Sequence, residues 1–155
     1  MRLIFLDVDG VLNNYDWAAD MLKKGIKVFK DDILYEPSLL LLKTLVEETD
    51  AKIVLSSAWR MIPSARKHLV DTLHEYDLSI YADTPYVGGV RGDDIQAWFK
   101  RNPGEYAYVI LDDDADMLDS QKDHLVQTEF IYGFCHEDYE KAKEILKEAP
   151  VACGI

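Results

Sequence analysis

Three short, largely apolar runs at residues 3–6, 51–55 and 106–111 each stop abruptly at polar side chains. This leaves the chain few ways to fold. Runs of this kind read as strands buried on both faces of a sheet, because neither face offers a polar alternation. Residues 79–82 and 125–128 are two further candidate strands. Helical spacing fills the intervals. Leu39, Leu42, Leu45 and Val46 recur in a segment that runs from Pro37, suited to a first turn, through Glu48. Leu69, Val70 and Leu73 mark a helix at about 64–76. Ile95, Trp98 and Phe99 mark another, with Asp93 as its expected N-cap and 102–104 as its stop. Tyr139, Ala142, Ile145, Leu146 and Ala149 line the inner face of a closing helix at 136–149. Strands alternating with helices imply a mostly parallel sheet covered on both faces. Right-handed crossovers then bring every strand's carboxyl end to one edge, where such sheets bind ligands.

Four features collect at that edge. Asp7 and Asp9 follow the first strand, Ser56 and Ser57 the second, Arg91 opens the third helix, and Asp112 and Asp113 follow the strand at 106–111. Each has an ordinary reading alone: a turn, a helix cap, a surface arginine, a solvated acidic loop. Together they are hard to assign to chance. In extended backbone Asp7 and Asp9 point to the same side, and two carboxylates about 4 Å apart repel by roughly 4 kcal/mol at an effective dielectric near 20. A bound cation, a shared proton or a splayed geometry must offset that. Gly10 lets the chain turn away. Hard oxygen donors on separate loops suit Mg²⁺. A hydroxyl and a guanidinium suit phosphate oxygens. One aspartate can attack phosphorus while another moves protons.

With 155 residues and 48% hydrophobic content the chain is expected to form one domain, 1–155, with a small flap at about 13–32 that carries Tyr15 and Trp17, the aromatics best placed to meet a base or ring. The formal charge of −12 argues against a broad nucleic-acid footprint. Cys135 and Cys153 form no metal pattern, and the four histidines are dispersed. No long apolar run or secretory h-region is present, so the expectation is a cytoplasmic protein with reduced thiols and no membrane span.

The ordered set resembles the haloacid dehalogenase-like (HAD) superfamily of phosphohydrolases. Leu6-Asp7-Val8-Asp9-Gly10-Val11-Leu12-Asn13 is similar to its first motif, Lys52-Ile53-Val54-Leu55-Ser56-Ser57 to its second, and Val109-Ile110-Leu111-Asp112-Asp113 to its fourth. Ser56-Ser57-Ala58-Trp59-Arg60, Arg91-Gly92-Asp93-Asp94-Ile95-Gln96-Ala97-Trp98 and Ile110-Leu111-Asp112-Asp113-Asp114 resemble a subgroup associated with RNA-repair proteins. The resemblance implies a Rossmann-like three-layer α/β sandwich with little or no cap. It implies Asp7 as nucleophile, Asp9 as acid/base and, through its carbonyl, a metal ligand, and Ser56 with Ser57 on the phosphoryl group. Asp112 and Asp113 would hold Mg²⁺ with Asp7. The usual third-motif lysine has no counterpart, leaving Arg91, then Arg60, as the cation. The expected activity is Mg²⁺-dependent hydrolysis of a phosphate monoester, on a nucleic-acid end, a nucleotide or a small molecule.

Three other readings remain open. A phospho-acceptor signalling domain shares acidic strand ends but needs a lysine after the last strand, which is not evident. A catalytically idle phosphate-binding module has no physical need for repelling carboxylates. A nicking or topoisomerase-type metal domain needs a catalytic glutamate on an earlier strand, and here D-x-D ends the first.

Overall fold

The computed structural model describes residues 1–28 and 33–155. β1 (Arg2–Leu6), β2 (Lys52–Leu55), β3 (Ile80–Asp83), β4 (Gly104–Asp112) and β5 (Leu125–Gln127) form a parallel sheet in the order β3-β2-β1-β4-β5. The strand carrying the first motif is thus central, flanked by the two strands whose ends carry the other polar groups. A sixth strand that the periodicity does not announce, β6 (Val151–Cys153), runs antiparallel to the first half of β4, with Gly104 opposite Cys153.

The α-helices that lie wholly within the described residues are α1 (Tyr15–Lys23), α2 (Glu36–Thr49), α3 (Pro63–Glu75), α4 (Arg91–Arg101) and α5 (His136–Leu146). Alternation along β1 divides the core between two layers. Ile4 and Leu6 join Leu39, Leu42 and Leu45 of α2, Leu69 and Leu73 of α3, and Ala142 and Leu146 of α5. Leu3 and Phe5 join Ile95, Trp98 and Phe99 of α4. Phe5 meets Trp98, Phe99 and Tyr108 edge-on at centroid distances of 5.7, 5.2 and 5.9 Å, the arrangement favoured by ring quadrupoles. Residues Leu3 to Leu6 are wholly inaccessible to solvent, each burial contributing about 1.5–3 kcal/mol.

Two helix ends differ from the sequence expectation. Asp93 is not the N-cap of α4: Val90 holds that position, and the Asp93 carboxylate reaches back to accept the Val90 N–H at 3.0 Å. The closing helix ends at Leu146, leaving Ala149 exposed. Pro150 disfavours helical backbone at the residue before it, and the chain passes into β6.

Of the expected flap, α1 is a nine-residue helix capped by Asn14, whose side chain accepts the Trp17 N–H. The Tyr15 and Asp16 N–H groups donate to Phe130 and Ile131 carbonyls at 3.0 and 3.1 Å. Trp17 packs on Tyr35, and Tyr15 is exposed. Residues 29–32 of the flap lie outside the described residues. Among the described residues no helix is long and apolar enough to cross a membrane.

Candidate active site

Asp7 extends the sheet one residue beyond β1: its N–H donates to the Leu111 carbonyl at 3.0 Å. It shares the parity of Leu3 and Phe5, so its side chain falls on the face covered by α4. Arg91, the first residue of α4, places Nη1 3.4 Å from Asp7 Oδ1 and 3.6 Å from Asp112 Oδ2. One carboxylate oxygen from each of Asp7, Asp112 and Asp113 lies within 4.8 Å of the others. Gly10 makes this crowding possible. Its φ is +77°, and a Cβ there would stand 2.7 Å from the Asp113 carboxyl.

Asp9 does not join them. The chain turns after Val8, whose carbonyl accepts the Val11 and Leu12 N–H groups, so the same-side rule lapses after Asp7. Asp9 Oδ1 accepts from Asn13 Nδ2 at 2.8 Å and Oδ2 from Trp59 Nε1 at 3.2 Å. The D-x-D pair is splayed, and the close repulsion falls between Asp7 and the two aspartates after β4.

Burial, the largest cause, pushes the Asp7 carboxyl up to about 6 despite the opposing Arg91 charge, with Asp113 and Asp9 adding to the rise. Burial and then the neighbouring Asp7 charge push Asp112 to about 8. Without a metal, the unfolded chain loses these protons near the ordinary carboxylate range while the native state keeps them until about 6 and about 8. The native state binds more protons across that window, so this pair's contribution to stability falls as pH rises and is fully lost above the higher value. Urea unfolding in EDTA at about pH 5 and about pH 8 should give a lower midpoint at the higher pH. The difference should shrink in Asp112→Asn, and an equal difference in both proteins would sink this account of the crowding.

The two serines after β2 separate cleanly. Ser57 Oγ accepts the Trp59 N–H and caps the 3₁₀ turn Ala58–Met61. Ser56 Oγ is buried with no hydrogen-bond partner among the described residues, an expensive state unless a ligand supplies one. Arg60 is turned inward. Nε donates to Thr84 O, Nη1 to Ser56 O and Ser57 O, and Nη2 to Pro85 O and to Asp94 Oδ2 at 2.8 Å. All five guanidinium donors are engaged within the protein, whereas Arg91 is the cation that lies at the carboxylates. The acidic loop and α4 are also stitched together. The Arg91 N–H donates to Asp116 Oδ2, Gly92 N–H to Asp116 O, and Gln121 Nε2 to Gly92 O. A Cβ at Gly92 would lie 2.6 Å from the Leu118 nitrogen.

Sequence reasoning missed several contributors. Asn13 and Trp59 hold Asp9, Asp94 anchors Arg60, and Thr128, just past β5, donates its hydroxyl to the Gly10 carbonyl at 2.7 Å. Thr128 carries a signal in the sequence, since it closes the candidate strand at 125–128 with a polar side chain at the same edge. No periodicity signals the other three.

Among the described residues Asp112 Oδ2 is buried without a hydrogen-bond partner, and carboxylate oxygens of Asp7 and Asp113 lie close to it. This donor set fits a divalent cation such as Mg²⁺. A family model described as the HAD domain in Swiss Army Knife RNA repair proteins matches residues 3–139. No curated protein and no solved structure matches the chain.

Proposed function

The chain belongs to the family of HAD domains in Swiss Army Knife RNA repair proteins, and on that premise we propose a Mg²⁺-dependent phosphohydrolase that cleaves a phosphate monoester through an aspartyl-phosphate on Asp7. The observation that carries the reading is the cluster of buried Asp7 and Asp112 with half-buried Asp113 beside Arg91. Three anions gathered in low dielectric cost stability, and a site for a cation and a phosphoryl group accounts for them.

Mg²⁺ held by Asp7, Asp112, Asp113 and the Asp9 carbonyl would offset negative charge on the phosphoryl oxygens. The Asp7 carboxylate attacks phosphorus as the ester bond breaks, and Asp9 gives its proton to the departing oxygen. Asp9 then takes a proton from water as that water attacks phosphorus. The Asp7–phosphorus bond breaks, inorganic phosphate is released and the Asp7 carboxylate is regenerated. Arg91 and the unpartnered Ser56 hydroxyl hold phosphoryl oxygens through both steps. The family's description favours a phosphorylated nucleic-acid end over a small molecule. A small flap leaves such an end room to enter, and the −12 charge restricts recognition to that end.

Phosphate release from an aryl phosphate should require Mg²⁺ and stop with EDTA. A panel of 3′- and 5′-phosphorylated oligonucleotides and sugar phosphates should show faster release from one class of nucleic-acid end. A stoichiometric burst without turnover would identify a phospho-acceptor instead, and no phosphate release with any substrate an idle module.

A further inference from the structure

Among the described residues Trp59 and Asn13 donate to none of the oxygens of the carboxylate cluster, yet between them they take both oxygens of Asp9. Trp59 lies in the short turn after β2, 6% exposed and packed into the larger core cluster. Its indole N–H, a donor with no acceptor role, points to Asp9 Oδ2 at 3.2 Å. Asn13, 1% exposed, is held in turn by the Gly10 N–H, which donates to its Oδ1 at 2.8 Å, so its Nδ2 is the atom directed at Asp9 Oδ1. The amide orientation is thereby set by the network.

We infer that Trp59 and Asn13 are positioning residues that lock the plane of the Asp9 carboxyl group, so that proton delivery to the departing oxygen depends on an indole and an amide that are bonded to Asp9 rather than to the nucleophile. The inference rests on the phosphohydrolase reading. Two N–H donors on opposite oxygens prevent rotation of the carboxyl group and leave a lone pair on each oxygen for the transferred proton. The same 3₁₀ turn carries Arg60, which ties it to α4 through Asp94. The acid/base and the helix that presents Arg91 are therefore referred to one piece of backbone. Displacing a general acid by about 1 Å is enough to lower its contribution about a hundredfold.

Leaving-group dependence separates positioning from mere packing. A nitrophenolate departs without a proton, whereas an alkoxide needs one. In Trp59→Phe, which keeps most of the ring in the core, the ratio of kcat/KM for an alkyl phosphate to that for nitrophenyl phosphate should fall at least about tenfold. Asn13→Ser should shift the ratio the same way. A purely structural role would lower both substrates together and leave the ratio unchanged. A second readout needs no turnover: in ¹⁵N-labelled protein the Trp59 indole resonance should move in Asp9→Ala while that of Trp98 stays. An unchanged ratio in both variants, or an indole signal indifferent to Asp9→Ala, overturns the inference. Wild-type protein inactive on both esters would instead overturn the phosphohydrolase reading on which it stands.

Discussion

Asp7→Asn is expected to lower hydrolysis of an aryl phosphate by at least about a thousandfold, equivalent to about 4 kcal/mol of transition-state stabilisation, while making the metal-free protein more stable at about pH 8. The two effects have one origin. Asn keeps the shape of the side chain but carries neither the nucleophilic oxygen nor the charge, so no aspartyl-phosphate forms. Removing that charge also takes one buried anion away from Asp112 and Asp113. Burial already pushes the Asp7 carboxyl up to about 6, so its ionisation at higher pH opposes folding, and relief on the order of 2 kcal/mol follows. Activity and stability should therefore move in opposite directions, which a misfolded variant cannot imitate. Thermal unfolding in EDTA and phosphate release in Mg²⁺ provide the two readouts. Activity within tenfold of the parent would falsify the nucleophile assignment, and a lowered melting temperature would contradict the crowding.

The second large effect concerns stability. Arg60→Ala should cost about 3–5 kcal/mol, the range for breaking a buried ion pair, and lower the melting temperature by about 10 °C or more. Arg60 and Asp94 side chains are 5% and 7% exposed, so the surviving carboxylate would be left unpaired away from water. Asp94 Oδ1 also accepts the Val87 N–H at 2.9 Å, so the loop between β3 and α4 would loosen as well. Arg60→Lys should rescue little, because one ammonium cannot serve five acceptors arranged around a planar fork. Arg60→Met with Asp94→Leu should recover much of the loss, since a well-packed apolar pair of similar volume can replace a buried ion pair. Chemical denaturation of the three variants checks this. If Arg60→Ala melts with the parent, the guanidinium is not the pin that its contacts describe.

What could be read in advance was set by periodicity and by strand ends. The buried runs at 3–6, 51–55 and 106–111 became β1, β2 and β4, and the edge rule brought Asp7, Arg91, Asp112 and Asp113 together. What escaped depended on local backbone or on long-range pairing. Asp9 left Asp7 because a turn replaced extended chain within two residues. Ser56 and Ser57 are chemically alike and adjacent, and only the start of the 3₁₀ turn decides which hydroxyl caps it and which is left unpartnered. Arg60 and Arg91 carry the same charge, but the inward carbonyls of the loops after β2 and β3 claim the first. β6 is too short for alternation to register and exists because β4 extends far enough to receive it.

The stitching of α4 to the acidic loop gives the carboxyl edge of the sheet one fixed jaw. Arg91 and Gly92 at the start of α4 are bonded to Asp116 and Gln121 of the segment that follows Asp112 and Asp113, and the pin at Arg60 joins the second motif to the same block. An inserted segment there would throw the chemistry out of register. Gly25, in the turn after α1, has φ +82° and, among the described residues, nothing within 4 Å of where a side chain would begin. Lengthening the chain at that turn disturbs no residue of the fixed jaw.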